Sequence, residues 1–232
     1  VLENWHREHG SEVRSWFDSL GQLEALASLA SLVHDQPTWT YPKVDAALTS
    51  VRAQRIGHPL LAAPVCNDVT IGPQGTFVLV TGSNMSGKST LLRSIGLNAV
   101  LAQAGATTHS AELSLPPVKL ATSMRIQDSL EDGVSFFMAE LNRLKHVVDE
   151  AEQLSEQGRV QLFLLDEILQ GTNSAERHIA VAEVARRLTS SGAMTLTEKI
   201  SLAGKMKLAP RPTMTARPCL ARVLMTSSRW LR

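Results

Sequence analysis

Residues 77–90, Phe-Val-Leu-Val-Thr-Gly-Ser-Asn-Met-Ser-Gly-Lys-Ser-Thr, constrain this chain more than any other stretch. An apolar, β-branched run from Phe77 to Val80 breaks into Gly82–Ser89, which fits G-x-x-x-x-G-K-S/T. A helix-forming run follows at once from Leu91. Such a loop meets the needs of a phosphate chain: backbone N–H donors aimed at one point, a helix N-terminus, a lysine charge and a hydroxyl for Mg²⁺. Gly82 and Gly87 allow the turn and the close approach that side chains would block. With a strand before it and a helix after it, a chance Gly/Ser-rich turn accounts poorly for the pattern. The chain is expected to bind a nucleoside triphosphate through Gly82, Ser83, Asn84, Met85, Ser86, Gly87, Lys88, Ser89 and Thr90.

The 232 residues leave room for one sizeable α/β domain and a small appendage. A formal charge of +1 names no partner. Cys66 and Cys219 lie far apart without metal-ligand spacing, which suits a reducing cytoplasm. No apolar run approaches the ~20 residues that cross a bilayer, so no membrane segment is expected. The start has neither a basic n-region nor an apolar h-region. It lacks a methionine and already follows a helical pattern, so an N-terminal portion is expected to be missing.

Residues 1 to about 35 read as two helices broken near Gly21, the second with Leu23, Leu26, Ala30 and Val33 on one apolar face. Pro37 and Pro42 mark a loop. Short strands are expected at Ala53–Ile56 and Asp68–Ile71, with a turn at Gly72–Gly75, and another strand at Val118–Ile126. A long amphipathic helix begins at Ser135, with Phe137, Leu141, Leu144, Val148 and Ala151 at helical spacing. Gln161–Leu165 is continuously apolar after its first residue, as in a buried parallel strand. A polar turn then leads to a helix with Ser174 as its candidate N-cap. Strands alternating with helices point to a parallel sheet with crossover helices.

The apolar run ends in Asp166-Glu167. In enzymes with a phosphate loop, a buried strand ending in a carboxylate lies beside that loop and holds Mg²⁺. Asp166 is the candidate metal group alongside Ser89, and Glu167 the candidate base for the attacking water. Alone, the pair reads equally as a surface strand end; downstream of a full phosphate loop it gains weight.

Thr81–Thr90 resembles the T-G-P-N-M-x-G-K-S-T loop of the MutS DNA mismatch repair family. Leu101–Gly105 is similar to its post-loop helix end, Ser135-Phe-Phe-Met-Ala-Glu140 to S-T-F-x-x-E, and Leu164–Ser174 to L-L-D-E-I-G-R-G-T-S-T. The resemblance spans roughly residues 55–190. It implies a P-loop NTPase of the ABC class, a sheet flanked by helices that uses ATP and Mg²⁺. It further implies homodimerisation through this domain, DNA as the full-length parent's ligand, and a cytoplasmic location. Residues 1–42 would be the helical end of the lever/core domain and residues 43–192 the ATPase domain. Ser135 would reach the γ-phosphate held by the partner subunit; without the other motifs it reads as a plain N-cap. Asn67 matches an asparagine placed near the base, though an isolated Asn-Asp is otherwise a turn. Glu140 would order the signature loop.

Two departures stand out. The family follows its last core strand with Thr-His-Asp, whose histidine senses the γ-phosphate, whereas Gly192–Lys199 contains no histidine. The one nearest before it, His178, falls within a helical stretch. Residues 193–232 hold eight of the 23 Lys/Arg and one of the 22 Asp/Glu, a net +7 against −6 for residues 1–192. This atypical basic tail reads as a disordered extension, a nucleic-acid arm or read-through in a shifted frame, the last best accounting for the lost family pattern. If the tail is foreign, the last strands and the C-terminal dimerisation helices are absent. Two functions follow. One is an ATP-binding and ATP-hydrolysing domain that couples nucleotide state to DNA binding. The other is a nucleotide-binding module with little turnover, for want of the sensor histidine and the dimerisation elements.

Overall fold

The computed structural model describes residues 2–81, 86–123, 136–166, 174–198 and 222–226. The described residues form an α/β fold of two sheets and five helices. The chain starts with α1 (Leu2–His9) and α2 (Val13–Asp35). The break lies at residues 10–12 and not near Gly21. Gly10 closes α1 by donating to the His6 carbonyl at 2.9 Å. Gly21 costs about 1 kcal/mol relative to alanine, too little to stop a helix carried by Leu20, Gln22, Leu23, Glu24, Ala25 and Leu26. The expected apolar face buries nothing here, with Leu23 and Leu26 64% and 65% exposed.

A four-stranded sheet runs in the order β1 (Lys43–Val44), β5 (Glu112–Leu115), β2 (Val51–Ile56), β3 (Asn67–Ile71). This second sheet, and β1 and β5 within it, go beyond what the pattern suggested. Two and four residues are too short to show a period, and β5 stops at Pro116, which cannot donate to a ladder.

The five-stranded sheet carries the order β6 (Val118–Ser123), β7 (Val160–Leu165), β8 (Met194–Glu198), β4 (Phe77–Thr81), β9 (Arg222–Thr226). The first four are mutually parallel, and β9 joins the edge antiparallel to β4. The crossovers are helical: α3 (Lys88–Gln103), α4 (Phe136–Glu156) and α5 (Ser174–Ser190). Composition changes at residue 193, but the sheet does not stop there. β8, drawn from the basic tail, lies between β7 and β4, and β9 extends the sheet further. Alternating β-branched and apolar residues suffice for a central strand, whatever the net charge around them.

β7 is buried over its whole length, which is why its sequence does not alternate. Leu162 and Leu164 enter a core that joins Leu92, Ile95 and Ala99 of α3 with Val51, Val69 and Ile71 of the small sheet. Phe163 and Leu165 enter a second core with Leu144, Val148 and Ala151 of α4 and Leu188 of α5. Each such side chain removed from water contributes about 1.5–3 kcal/mol. Gly96 sets the approach of α3: a Cβ there would lie 3.0 Å from Leu164 Cδ1. Asn98 of α3, fully buried, donates to the Gly57 carbonyl at 2.9 Å and accepts the His109 N–H at 2.8 Å, tying the helix to the small sheet.

Candidate nucleotide site

The parallel strands end together. Ser123 lies opposite Leu165, Leu165 opposite Thr197, and Glu198 opposite Val80, which aligns four carboxyl ends along one edge. In open parallel sheets that edge is where ligands bind.

At this edge β4 runs into the glycine-bounded loop, of which Gly82, Ser83, Asn84 and Met85 lie outside the described residues. Gly87 has φ +84°, a left-handed conformation open to glycine at no steric cost. Among the described residues nothing lies within 4 Å of where a Cβ would stand, so conformation is the observed reason for glycine here. From there α3 begins, with the Leu91 N–H donating to the Gly87 carbonyl at 2.9 Å. The first N–H groups of a helix have no carbonyl within the helix to bond, and the positive end of its dipole favours an anion. Lys88, in this first turn, is 5% exposed; Ser89 is half-buried and Thr90 exposed. The Ser86 hydroxyl is buried without a hydrogen-bond partner.

Asp166 follows β7 and is 6% exposed. Its N–H donates to the Ser123 carbonyl at 2.8 Å, fixing the carboxylate at the shared edge. The Ser89 hydroxyl donates to Asp166 Oδ1 at 3.2 Å, so two residues 77 positions apart meet. The strand carrying Asp166 is not the neighbour of the strand feeding the loop, because β8 lies between them. The contact forms because Ser89 belongs to α3, whose apolar side also packs on β7.

A hydroxyl and a carboxylate are the hard oxygen donors that Mg²⁺ prefers. Among the described residues no cluster of three or more His, Cys, Asp or Glu could cage a metal ion. Mg²⁺ ordinarily takes one or two protein oxygens together with water and phosphate, which a hydroxyl and carboxylate pair could supply.

The remaining predicted positions divide. Glu167 and Ser135 lie outside the described residues. Asn67 opens β3 in the small sheet, where its amide donates to the Val65 carbonyl at 3.2 Å, as a local turn does. Glu140, on α4, is buried at 5% exposure. His178 falls in α5. Sequence reasoning treated the end of β8 only as the place of a missing histidine. The register puts Thr197, fully buried, and then Glu198 at the middle of the carboxyl edge. Strand order was the signal needed, and composition does not carry it.

The family model for MutS domain V matches residues 78–202, from β4 through β8. The chain belongs to the MutS family. The match runs past the compositional boundary at residue 192, so the family pattern includes β8. The DNA mismatch repair protein MutS of Haloquadratum walsbyi is 32% identical over 192 residues, covering 80% of this chain and 20% of that protein. The MutS protein of Chlorobium chlorochromatii is 34% identical over 166 residues, 67% of this chain and 18% of its own. The DNA mismatch repair protein MSH6 of Arabidopsis thaliana is 32% identical over 191 residues, 76% of this chain and 14% of its own. The chain spans a fifth or less of the length of these three relatives. Among the described residues no helix is long and apolar enough to cross a membrane.

Proposed function

We propose that this chain is the ATP-binding and ATP-hydrolysing domain of a MutS-like DNA mismatch repair protein, acting in the cytoplasm and coupling nucleotide state to DNA binding. The observation that carries the reading is the Ser89 hydroxyl on the Asp166 carboxylate at 3.2 Å, at the start of the helix that follows the glycine-bounded loop. In this reading the loop amides and the Lys88 ammonium hold the polyphosphate. Ser89 and Asp166 would hold Mg²⁺, which when bound neutralises charge on the β- and γ-phosphates. Glu167 accepts a proton from the water that forms the new bond to the γ-phosphorus, and the bond from that phosphorus to the β–γ bridging oxygen breaks, its electron pair leaving with ADP. Ser135 of a second copy completes the site in a homodimer, and longer family members bring the DNA-binding segments.

A second reading has its own observation. β8 ends in Thr197-Glu198, where the family pattern continues Thr-His-Asp. Without that histidine the chain would hold nucleotide and turn it over slowly or not at all. Nucleotide affinity measured beside ATP turnover separates the two. Under the first reading the wild-type chain hydrolyses ATP, and Glu167→Gln binds as wild type while turnover falls on the order of a hundredfold or more. Binding without hydrolysis in the wild-type chain supports the second.

A further inference from the structure

We infer that Glu198 gives the cation site a second carboxylate, so that this chain takes up a divalent cation before any nucleotide arrives. The inference rests on the nucleotide reading above and adds the order in which that site fills.

Strand register brings the two acidic residues together. Leu165 lies opposite Thr197, the last pair between β7 and β8. The next residues along these parallel strands are Asp166 and Glu198. On the other side of β7 the Asp166 N–H still extends the ladder, donating to the Ser123 carbonyl at 2.8 Å. Neighbouring strands lie about 4.8 Å apart, so the two acidic positions are side by side. Positions alternate between the two faces along a strand. Asp166 therefore shares the face of Leu164, and Glu198 that of Leu196, and both leucines belong to the core that α3 closes. The Ser89 hydroxyl, in the first turn of α3, reaches Asp166 Oδ1 on this face. Across the other strand pair Glu198 is opposite Val80 of β4, the strand that enters the loop. Glu198 thus fills the gap between the carboxylate assigned to the metal and the loop assigned to the phosphates.

Charge decides what a residue in that gap can do. Where the family pattern has a histidine after the last core strand, this chain has an acid. Two carboxylates side by side at an edge where Asp166 is buried repel each other, and a divalent cation relieves the repulsion. Carboxylate and hydroxyl oxygens suit Mg²⁺ and Mn²⁺ alike. A site with one carboxylate relies on substrate phosphates for much of its hold on Mg²⁺. A second carboxylate supplies that negative charge from the protein, so the cation stays without them. The same charge opposes a polyphosphate that arrives without metal, which a histidine would not do.

The test titrates Mn²⁺, with no nucleotide present, into wild type, Glu198→Gln, Glu198→Asp and Asp166→Asn, following free Mn²⁺ by electron paramagnetic resonance. Wild type should take up Mn²⁺, and Glu198→Gln should bind it about tenfold more weakly or worse, since affinity follows the number of charged ligands. Glu198→Asp keeps a carboxylate and should bind Mn²⁺ more tightly than Glu198→Gln. In a second arm, with metal chelated, Glu198→Gln should bind ATP more tightly than wild type does. Wild-type Mn²⁺ affinity in Glu198→Gln, beside weakened binding in Asp166→Asn, would overturn the inference and leave the nucleotide reading standing. So would a wild-type chain that binds Mg-ATP but takes up no Mn²⁺ on its own. A wild-type chain that binds ATP neither with nor without metal would remove the nucleotide reading, and the order of filling with it.

Discussion

Leu164 in β7 and Leu26 in α2 are the same side chain in opposite surroundings. The first is fully buried between α3 and the sheet, whereas the second is 65% exposed on a helix that buries nothing. Both regions announce themselves by apolar spacing in the sequence. The spacing tells which face wants to leave water and says nothing of whether a partner covers it. The sheet closes its own core on both faces, and Ser89 and Asp166 meet at its carboxyl edge. The helical segment has no such closure within the described residues.

The largest effect that would sharpen this contrast lies at the edge of the sheet. Lys88→Ala is expected to abolish triphosphate binding, a loss on the order of a hundredfold or more in a fluorescence or calorimetric titration, with the fold intact. Unchanged affinity would break the link between the rigid sheet and the ligand. Next, Phe163→Ala should destabilise the fold by about 3–5 kcal/mol in denaturant unfolding, because it opens a cavity in a fully closed core. Leu23→Ala on α2 should stay within about 0.5 kcal/mol, since that side chain is already in water. Comparable losses at the two sites would show that α2 is covered in solution.

The smallest effect concerns the small sheet. His109 packs its ring on Trp39 at 5.2 Å between centroids, and its Nε2 lies 4.0 Å from Cys66 Sγ. Burial holds its pKa below the ordinary histidine value. The unfolded chain therefore takes up this proton first as pH falls below about 6.5, and protons favour unfolding in that range. The contribution is fully present above about pH 6.5 and is lost as pH falls toward the depressed value. The Tm difference between about pH 8 and pH 5.5 should shrink in His109→Gln. An unchanged difference would place the proton-sensitive group elsewhere.

Much of the large sheet was legible because its signals are local. The strand, the glycine-bounded loop and the helix at 77–103 are consecutive, and the unbroken apolar run of β7 indicates burial on both faces. The Ser89–Asp166 pairing was legible only through motif context, since 77 residues separate the two. Three things were not legible. The placement of β8 between β7 and β4 depends on strand order, which no local pattern encodes. The strands β1 and β5 are too short to show a period. The break at residues 10–12 was missed because a lone glycine at 21 looked a stronger breaker than its well-formed helical neighbours allow.

The central claim is that Ser89 and Asp166 meet so that a magnesium ion can join them to a nucleotide held by the loop. The direct test is calorimetric titration of ATP into wild type and Asp166→Asn, with Mg²⁺ present and with Mg²⁺ chelated. The account predicts that wild type binds ATP more tightly with Mg²⁺ than without it, and that Asp166→Asn loses this difference. Equal ATP affinity with and without Mg²⁺ in the wild-type chain, or an undiminished Mg²⁺ effect in Asp166→Asn, would contradict it.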